Sequence, residues 1–477
     1  MILRKVYFYV VTTALLLALI ISGAKILHSE WRTAYTILFQ KSYYKVNLID
    51  LKLKNLFDGI YRPLVASHEK GLPEKRLYIS QKARNTLLKD LPRNIREWQK
   101  AFLLSPDGKL LKVKVRHRGD NPVNWAYNKK SWRVKLKKNS LINKTRTFDY
   151  IVPQEENQLN TYLSYYVAHV TGVLSPKVRL VELFINDVSQ GIYLERESID
   201  ENFLRNNGLM PVNIYKGEQV NRERQIAISN NLFDNPGLWK KISVFNQESK
   251  NDSSDLKYAL ELVRSAETFN TSFYRLKNLA RYEDWARFSA FQTLIQSWHA
   301  NSIDANARLV SDPWKGTIRP IVVDGGHLGQ DYKRKNTFDI KLDSGFSHPL
   351  LSVYMKSSDF LVEKYRTLYK FVKDGVIIKV ANELEALLPA MQRSFSRDYF
   401  RYEKVYINDH LATPVNLKYS LITTADKGMQ TEWDRMIGVL RWYQEALRGK
   451  LEVIPPMSWQ TEAGFVSLVV DGEIPVD

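Results

Sequence analysis

The sequence predicts an α+β protein of two lobes, a β-rich first lobe and a mainly helical second one, with one transmembrane helix ahead of both. Three observations lead there. Apolar and polar residues alternate with period two from Gln99 to Lys137, and the β pattern returns between Val178 and Glu197. Helical periodicity takes over beyond about Gly217, interrupted by one hairpin. At the N-terminus an uncharged run over 6–24 follows Arg4 and Lys5. Strands grouped ahead of helices make an α+β layout, and the cleft between two lobes is where ligands usually bind.

Taken in order, the N-terminal run comes first. A helix rising about 1.5 Å per residue over that length just crosses a hydrocarbon core of roughly 30 Å. Ser22, Gly23 and Ala24 have the small side chains of a signal-peptide cleavage site. The run is long and has no polar break, so residues 1–25 read as a single-pass anchor. The flanking positive charges keep that end in the cytoplasm and put the bulk of the chain outside. Residues 26–75 read as a helical stalk and linker. The β-rich lobe spans 76–217: Leu111, Val113 and Val115 alternate with Lys112, Lys114 and Arg116, and a second hairpin turns at Asn186-Asp187. The helical lobe spans 218–450, with helices expected over 255–266, 282–299, 360–373, 376–395 and 431–447 and a hairpin at 304–326. Residues 451–477 form a tail.

The chain of 477 residues is 44% hydrophobic and 25% charged, which excludes a disordered or multi-span membrane protein. Its net charge of +19 attracts polyanions. No dense Lys/Arg block of a nucleic-acid-binding arm is present, so nucleic acid is not an expected partner. There is no cysteine, which removes disulfides, Cys-zinc sites and thiol nucleophiles together.

The informative stretch follows a long helix that ends near Trp298. A loop carries Asp304 and Asn306, a hairpin occupies 307–323, and it ends at Asp324-Gly-Gly. Phosphoryl transfer asks for these parts. One carboxylate orients the attacking hydroxyl and takes its proton, while a second carboxylate and an amide oxygen hold Mg²⁺ or Mn²⁺ against the phosphates. Asp, Asn, hairpin and Asp-x-Gly is the order found in protein kinases. Asp304 is thus the candidate base, and Asp324 and Asn306 are candidate metal ligands. Any one of them alone is more often a turn residue or a cap; their joint order carries the reading. Upstream, Arg118-Gly119-Asp-Asn supplies a loop over the phosphates, Gly119 allowing close backbone approach. Lys135, with Lys130 just ahead of its strand, supplies a cation for the phosphates; the competing explanation is a solvated basic strand face. Glu197, Glu195, Glu155 and Glu156 are all open as its carboxylate partner. Lys216 sits where the lobes would join.

Arg118-Gly-Asp-Asn, Lys130-Ser-Trp-Arg-Val-Lys-Leu, the hairpin segment 181–200 with Gly191, Tyr193 and Glu197, Tyr215-Lys216, Asn301-Ser-Ile-Asp304 and Pro320-Ile-Val-Val-Asp324 resemble the spore-coat CotH kinase-like proteins. The resemblance runs from about Arg76 to Gly329. It implies an atypical, reduced protein-kinase fold, with Asp304 as base, Asp324 as metal ligand and Lys135 as phosphate ligand. It also implies ATP with a divalent metal as cofactors, and protein acceptors. Where that family has Trp-Asp-x-Asp this chain has Ile321-Val-Val-Asp324, so one acidic position is apolar. The loop from Asp304 to Asn306 is shorter than the family's. The expected activity is membrane-tethered phosphoryl transfer from ATP to a protein or an envelope polymer. The alternative is a kinase-like module that holds polyphosphate or an acidic glycan without turnover.

Overall fold

The structure is a computed structural model. It describes residues 13, 59–60, 62–64, 66–89, 91, 97–119, 124, 129–153, 159–217, 232–244, 249–296, 307–323, 340, 342, 348–400, 425–452, 457–462 and 465–470. Seven strands come first: β1 (Glu74–Tyr78), β2 (Gln99–Leu104), β3 (Leu110–His117), β4 (Trp132–Leu136), β5 (Thr147–Ile151), β6 (Val178–Ile185) and β7 (Val188–Glu197). Helix α1 (Gln81–Lys89) follows β1, and α2 (Asn160–Val170) lies between β5 and β6. The strands pair in the order β1-β2-β3-β4-β5-β7-β6, and β1 closes the ring by running parallel to β6, with Leu77 opposite Ile185. Alternate side chains point inward. Leu77, Leu103, Val115, Val134, Tyr150 and Leu183 are among those that form the buried interior. The β6–β7 turn places Asn186 and Asp187 at φ 50° and 63°. Two successive left-handed residues give the turn whose twist matches a hairpin, and Asn and Asp tolerate that conformation best after Gly.

A second sheet has the order β11-β10-β8-β9, from β8 (Asn213–Gly217), β9 (Trp239–Ser243), β10 (Arg308–Asp312) and β11 (Thr317–Pro320). It is covered on both faces. Ile214, Val310 and Ile321 pack against Phe203 and Leu204 of α3 (Glu201–Asn206). Tyr215, Leu309 and Ile318 join the main helical core. That core is built by α4 (Ser254–Ser265), α5 (Asn270–Leu279), α6 (Tyr282–Ile295), α7 (Pro349–Tyr354), α8 (Ser358–Lys373), α9 (Val376–Arg397) and α10 (Ala425–Leu451). The Trp285 indole of α6 donates to the carbonyl of Ile318 at 3.1 Å, fixing helix to sheet. Leu180, Ile192 and Leu194, on the outer wall of the barrel, also belong to this core. A hairpin of β12 (Met457–Glu462) and β13 (Phe465–Val470) follows α10.

Two expectations are overturned. The chain is not a two-lobed kinase layout: its strands close into a seven-membered barrel within a mixed α/β protein. Closure depends on the parallel β1–β6 pair, a long-range contact that alternation within single strands does not reveal. β8, the last strand of the span read as the β-rich lobe, leaves the barrel to pair with β10. The expected single-pass helix and membrane placement are corrected too. Among the described residues no helix is long and apolar enough to cross a membrane. The run 6–24 lies outside the described residues except for residue 13.

Candidate functional site

The outer wall of the barrel carries a charge cluster where β4, β5 and β7 meet α2. Arg133, Asp149 and Arg196 stand opposite one another across the three strands. Phe148 and Tyr150 point into the barrel, so alternation turns Asp149 outward, where it is nevertheless completely buried. Arg133 grips it with two bonds, Nε to Oδ1 at 2.6 Å and Nη2 to Oδ2 at 2.8 Å. Arg196 donates from Nη2 to Oδ2 at 2.9 Å and from Nη1 to the Tyr165 hydroxyl of α2 at 2.9 Å. Arg118, just past β3, brings Nε to 3.5 Å from Oδ2, and this buried Nε has no hydrogen-bond partner among the described residues.

Three guanidiniums therefore share one carboxylate. Burial pushes the Asp149 carboxyl up, and the arginines override it and hold it well below the usual carboxylate range. Burial pushes Arg118 down to about 10, with Arg196 and Arg133 adding to the effect against the pull of Asp149. A surplus of positive charge at a largely dry seam, with the Nε donors of Arg118 and Arg196 both unsatisfied among the described residues, suits an oxyanion. Guanidinium to phosphate is among the stronger hydrogen-bonded pairs.

The other expected site residues are spread more widely. Lys135 lies two residues along β4 from Arg133 on the same outer face, its ammonium 6.0 Å from the Trp98 ring. Lys130 is half-buried, and its carbonyl accepts from the Tyr193 hydroxyl at 3.1 Å. Gly119 has φ +95°, and a Cβ there would lie 2.5 Å from Cγ of Asn124, so the missing side chain lets Asn124 close on the backbone. Glu197 is on the opposite face of β7 from Arg196 and does not meet Lys135. It accepts from the Lys177 N–H and the Asn206 amide, each at 2.7 Å. Burial raises its carboxyl against those bonds. Glu195, on the same face as Glu197, lies 3.5 Å from Lys75 and also pairs with Arg179.

Asp304, Asn306, Asp324, Glu155 and Glu156 lie outside the described residues. Their described neighbours are tied together. The Gly217 N–H donates to Ala307 O at 3.0 Å, Ile321 N–H to Arg308 O at 3.0 Å, and Val322 N–H to Leu174 O at 2.9 Å. The entry to β10 and the exit from β11 thus lie side by side, next to Lys216, which stands opposite Arg308 and Lys240. α2 reaches both places, the cluster through Tyr165 and the hairpin end through Leu174, which follows it. Among the described residues no three His, Asp or Glu side chains gather as a metal site.

A family model described as CotH kinase protein matches residues 115–405, more than half of the chain. The chain belongs to the CotH kinase family. No curated protein matches it. The match takes in Arg118, Arg133, Asp149, Arg196 and the whole 304–324 stretch, while β1 and β2, which complete the barrel, precede it. Val322, where the CotH pattern is acidic, is buried in the helical core, and an unpaired carboxylate in that place would cost on the order of several kcal/mol.

Asp149, Arg196 and Tyr165 were not singled out from the sequence. The signal for Asp149 is a lone acid on an otherwise apolar or neutral strand, Thr-Phe-Asp-Tyr-Ile. For Arg196 it is a cation among buried neighbours on β7. Nothing local marks Tyr165, because its role depends on how α2 packs.

Proposed function

We propose that this CotH-family protein transfers the terminal phosphoryl group of ATP to a hydroxyl of a protein or an envelope polymer. The observation that carries the reading is the convergence of Arg118, Arg133 and Arg196 on the single carboxylate Asp149, which leaves surplus positive charge for a polyphosphate. Lys135, on the same face, adds a cation for the phosphates. Asp304 acts as the base that accepts the proton of the attacking hydroxyl. Asp324, with Asn306, would hold Mg²⁺ or Mn²⁺, which when bound would neutralise charge on the phosphates. The Asp304 and Asp324 roles rest on their order in the sequence and on the family.

The test is transfer of label from γ-labelled ATP, with Mg²⁺ present, to the protein itself and to added proteins. Transfer should depend on the metal and fall about 100-fold or more in Asp304→Asn. Full transfer by that variant would remove Asp304 from the base role. The second reading, a polyanion-holding module without turnover, draws on the net charge of +19. It predicts binding without metal and no label transfer.

A further inference from the structure

The register of β2, β3 and β4 lines up like charges. Lys100 stands opposite Lys114, and Lys114 opposite Lys135. In the next rows Arg116 faces Arg133 and Lys112 faces Phe102. All point away from the barrel interior, and no carboxylate stands on this face of the three strands. Like charges directly opposite each other destabilise strand pairing. In an open sheet such lysines guard an edge against aggregation, but these strands sit within a closed barrel and have no free edge. The cost is therefore borne without that structural return.

The same wall exposes apolar surface. Phe102 is 41% and Leu110 57% exposed, and the Trp98 ring lies under the Arg116 guanidinium at 4.7 Å. Lysines 112 and 114, two positions apart on β3, are spaced by roughly 6.8 Å, as are side chains on one face of any extended peptide. Polyphosphate or an acidic sugar has no use for Phe102 and Leu110; an acidic peptide with an apolar residue does. The wall is continuous with the phosphate cluster through the Arg116–Arg133 row.

We propose that the outer face of β2 and β3, with Lys100, Lys112, Lys114 and Phe102, docks the phosphoacceptor as an extended peptide with acidic residues at alternate positions and an apolar residue among them. This deepens the kinase reading by naming its acceptor class. Its binding test needs neither nucleotide nor metal, so the two readings fail separately.

The experiment is fluorescence anisotropy on the full chain with a labelled peptide of Glu alternating with Thr and carrying one Phe. Affinity should drop about tenfold or more in Lys100→Glu/Lys112→Glu/Lys114→Glu and fall with salt. The milder Lys→Gln triple, which removes the charge, stays polar and adds no repulsion, should weaken binding in the same direction and guards against misfolding. Phe102→Ser should weaken the peptide about threefold while leaving polyphosphate of equal charge unaffected. Unchanged peptide affinity in both triples would overturn the proposal. So would polyphosphate displacing the peptide at equal charge with Phe102→Ser having no effect, which would make the wall a general polyanion surface.

Discussion

Lys129 Nζ lies 2.6 Å from Asp398 Oδ2, and both side chains are shut away from water. The pair joins the C-terminal end of α9 to the chain that enters β4, tying the helical part to the barrel beside β7. The Asp398 carboxylate also fills the space over Gly191, where a Cβ would come within 2.1 Å of its Cγ at φ +73°.

Removing one partner leaves the other charged and buried. Asp398→Ala should cost roughly 3–5 kcal/mol of folding stability, and Lys129→Met/Asp398→Leu much less. Urea unfolding of the three proteins measures this; equal losses in the single and double variants would show that the pair is not the source.

The arginine cluster predicts opposite behaviour for its anion and one of its cations. Asp149→Asn leaves three guanidiniums with no carboxylate and should lower stability by about 3–5 kcal/mol. Added phosphate should then raise its melting temperature more than it raises the wild type's, because an anion that binds only the folded state stabilises it. Arg118→Met should fold normally, since Arg133 and Arg196 still saturate Asp149. Differential scanning calorimetry with and without phosphate separates these outcomes.

Lys114 has a lysine opposite it on each side. Lys114→Glu should raise stability by about 0.2–1 kcal/mol, and the gain should shrink with salt. Urea midpoints at two ionic strengths provide the check.

His348 sits among aromatic rings, its centroid 5.0 Å from Phe233 and 5.3 Å from Trp285. Burial pushes it down from 6.5 to about 4. The unfolded chain takes up the proton near 6.5 and the folded one only near 4, so this contribution is complete above 6.5 and is lost as pH falls through that window. The loss approaches about 3 kcal/mol at the acid end. His348→Phe should flatten the stability curve between those pH values, read from urea midpoints at each pH.

Much of the fold was legible locally. The Asn186-Asp187 turn, the β10–β11 hairpin and the helices α4, α8 and α9 follow from turn chemistry and periodicity, because each is decided by neighbours in sequence. Barrel closure was not, since β1 meets β6 across about a hundred residues of chain and its short alternating run, Glu-Lys-Arg-Leu-Tyr, names no partner. The site divided the same way. Arg118 and Lys135 stood out through their motifs. Asp149, Arg196 and Tyr165 come together only through strand register and the packing of α2, and neither glutamate of β7 could be placed on a face before the barrel was known. Ion pairs as distant in sequence as Lys129–Asp398 leave no local mark at all.

Titration calorimetry with Mg²⁺-ATP most directly tests a kinase site at this seam. The wild type should bind with a requirement for metal; Arg118→Met should bind about tenfold or more weakly while folding normally, and Asp324→Ala should lose the metal-dependent part. Binding unchanged in both variants would contradict a nucleotide site built on the arginine cluster and the end of the β10–β11 hairpin.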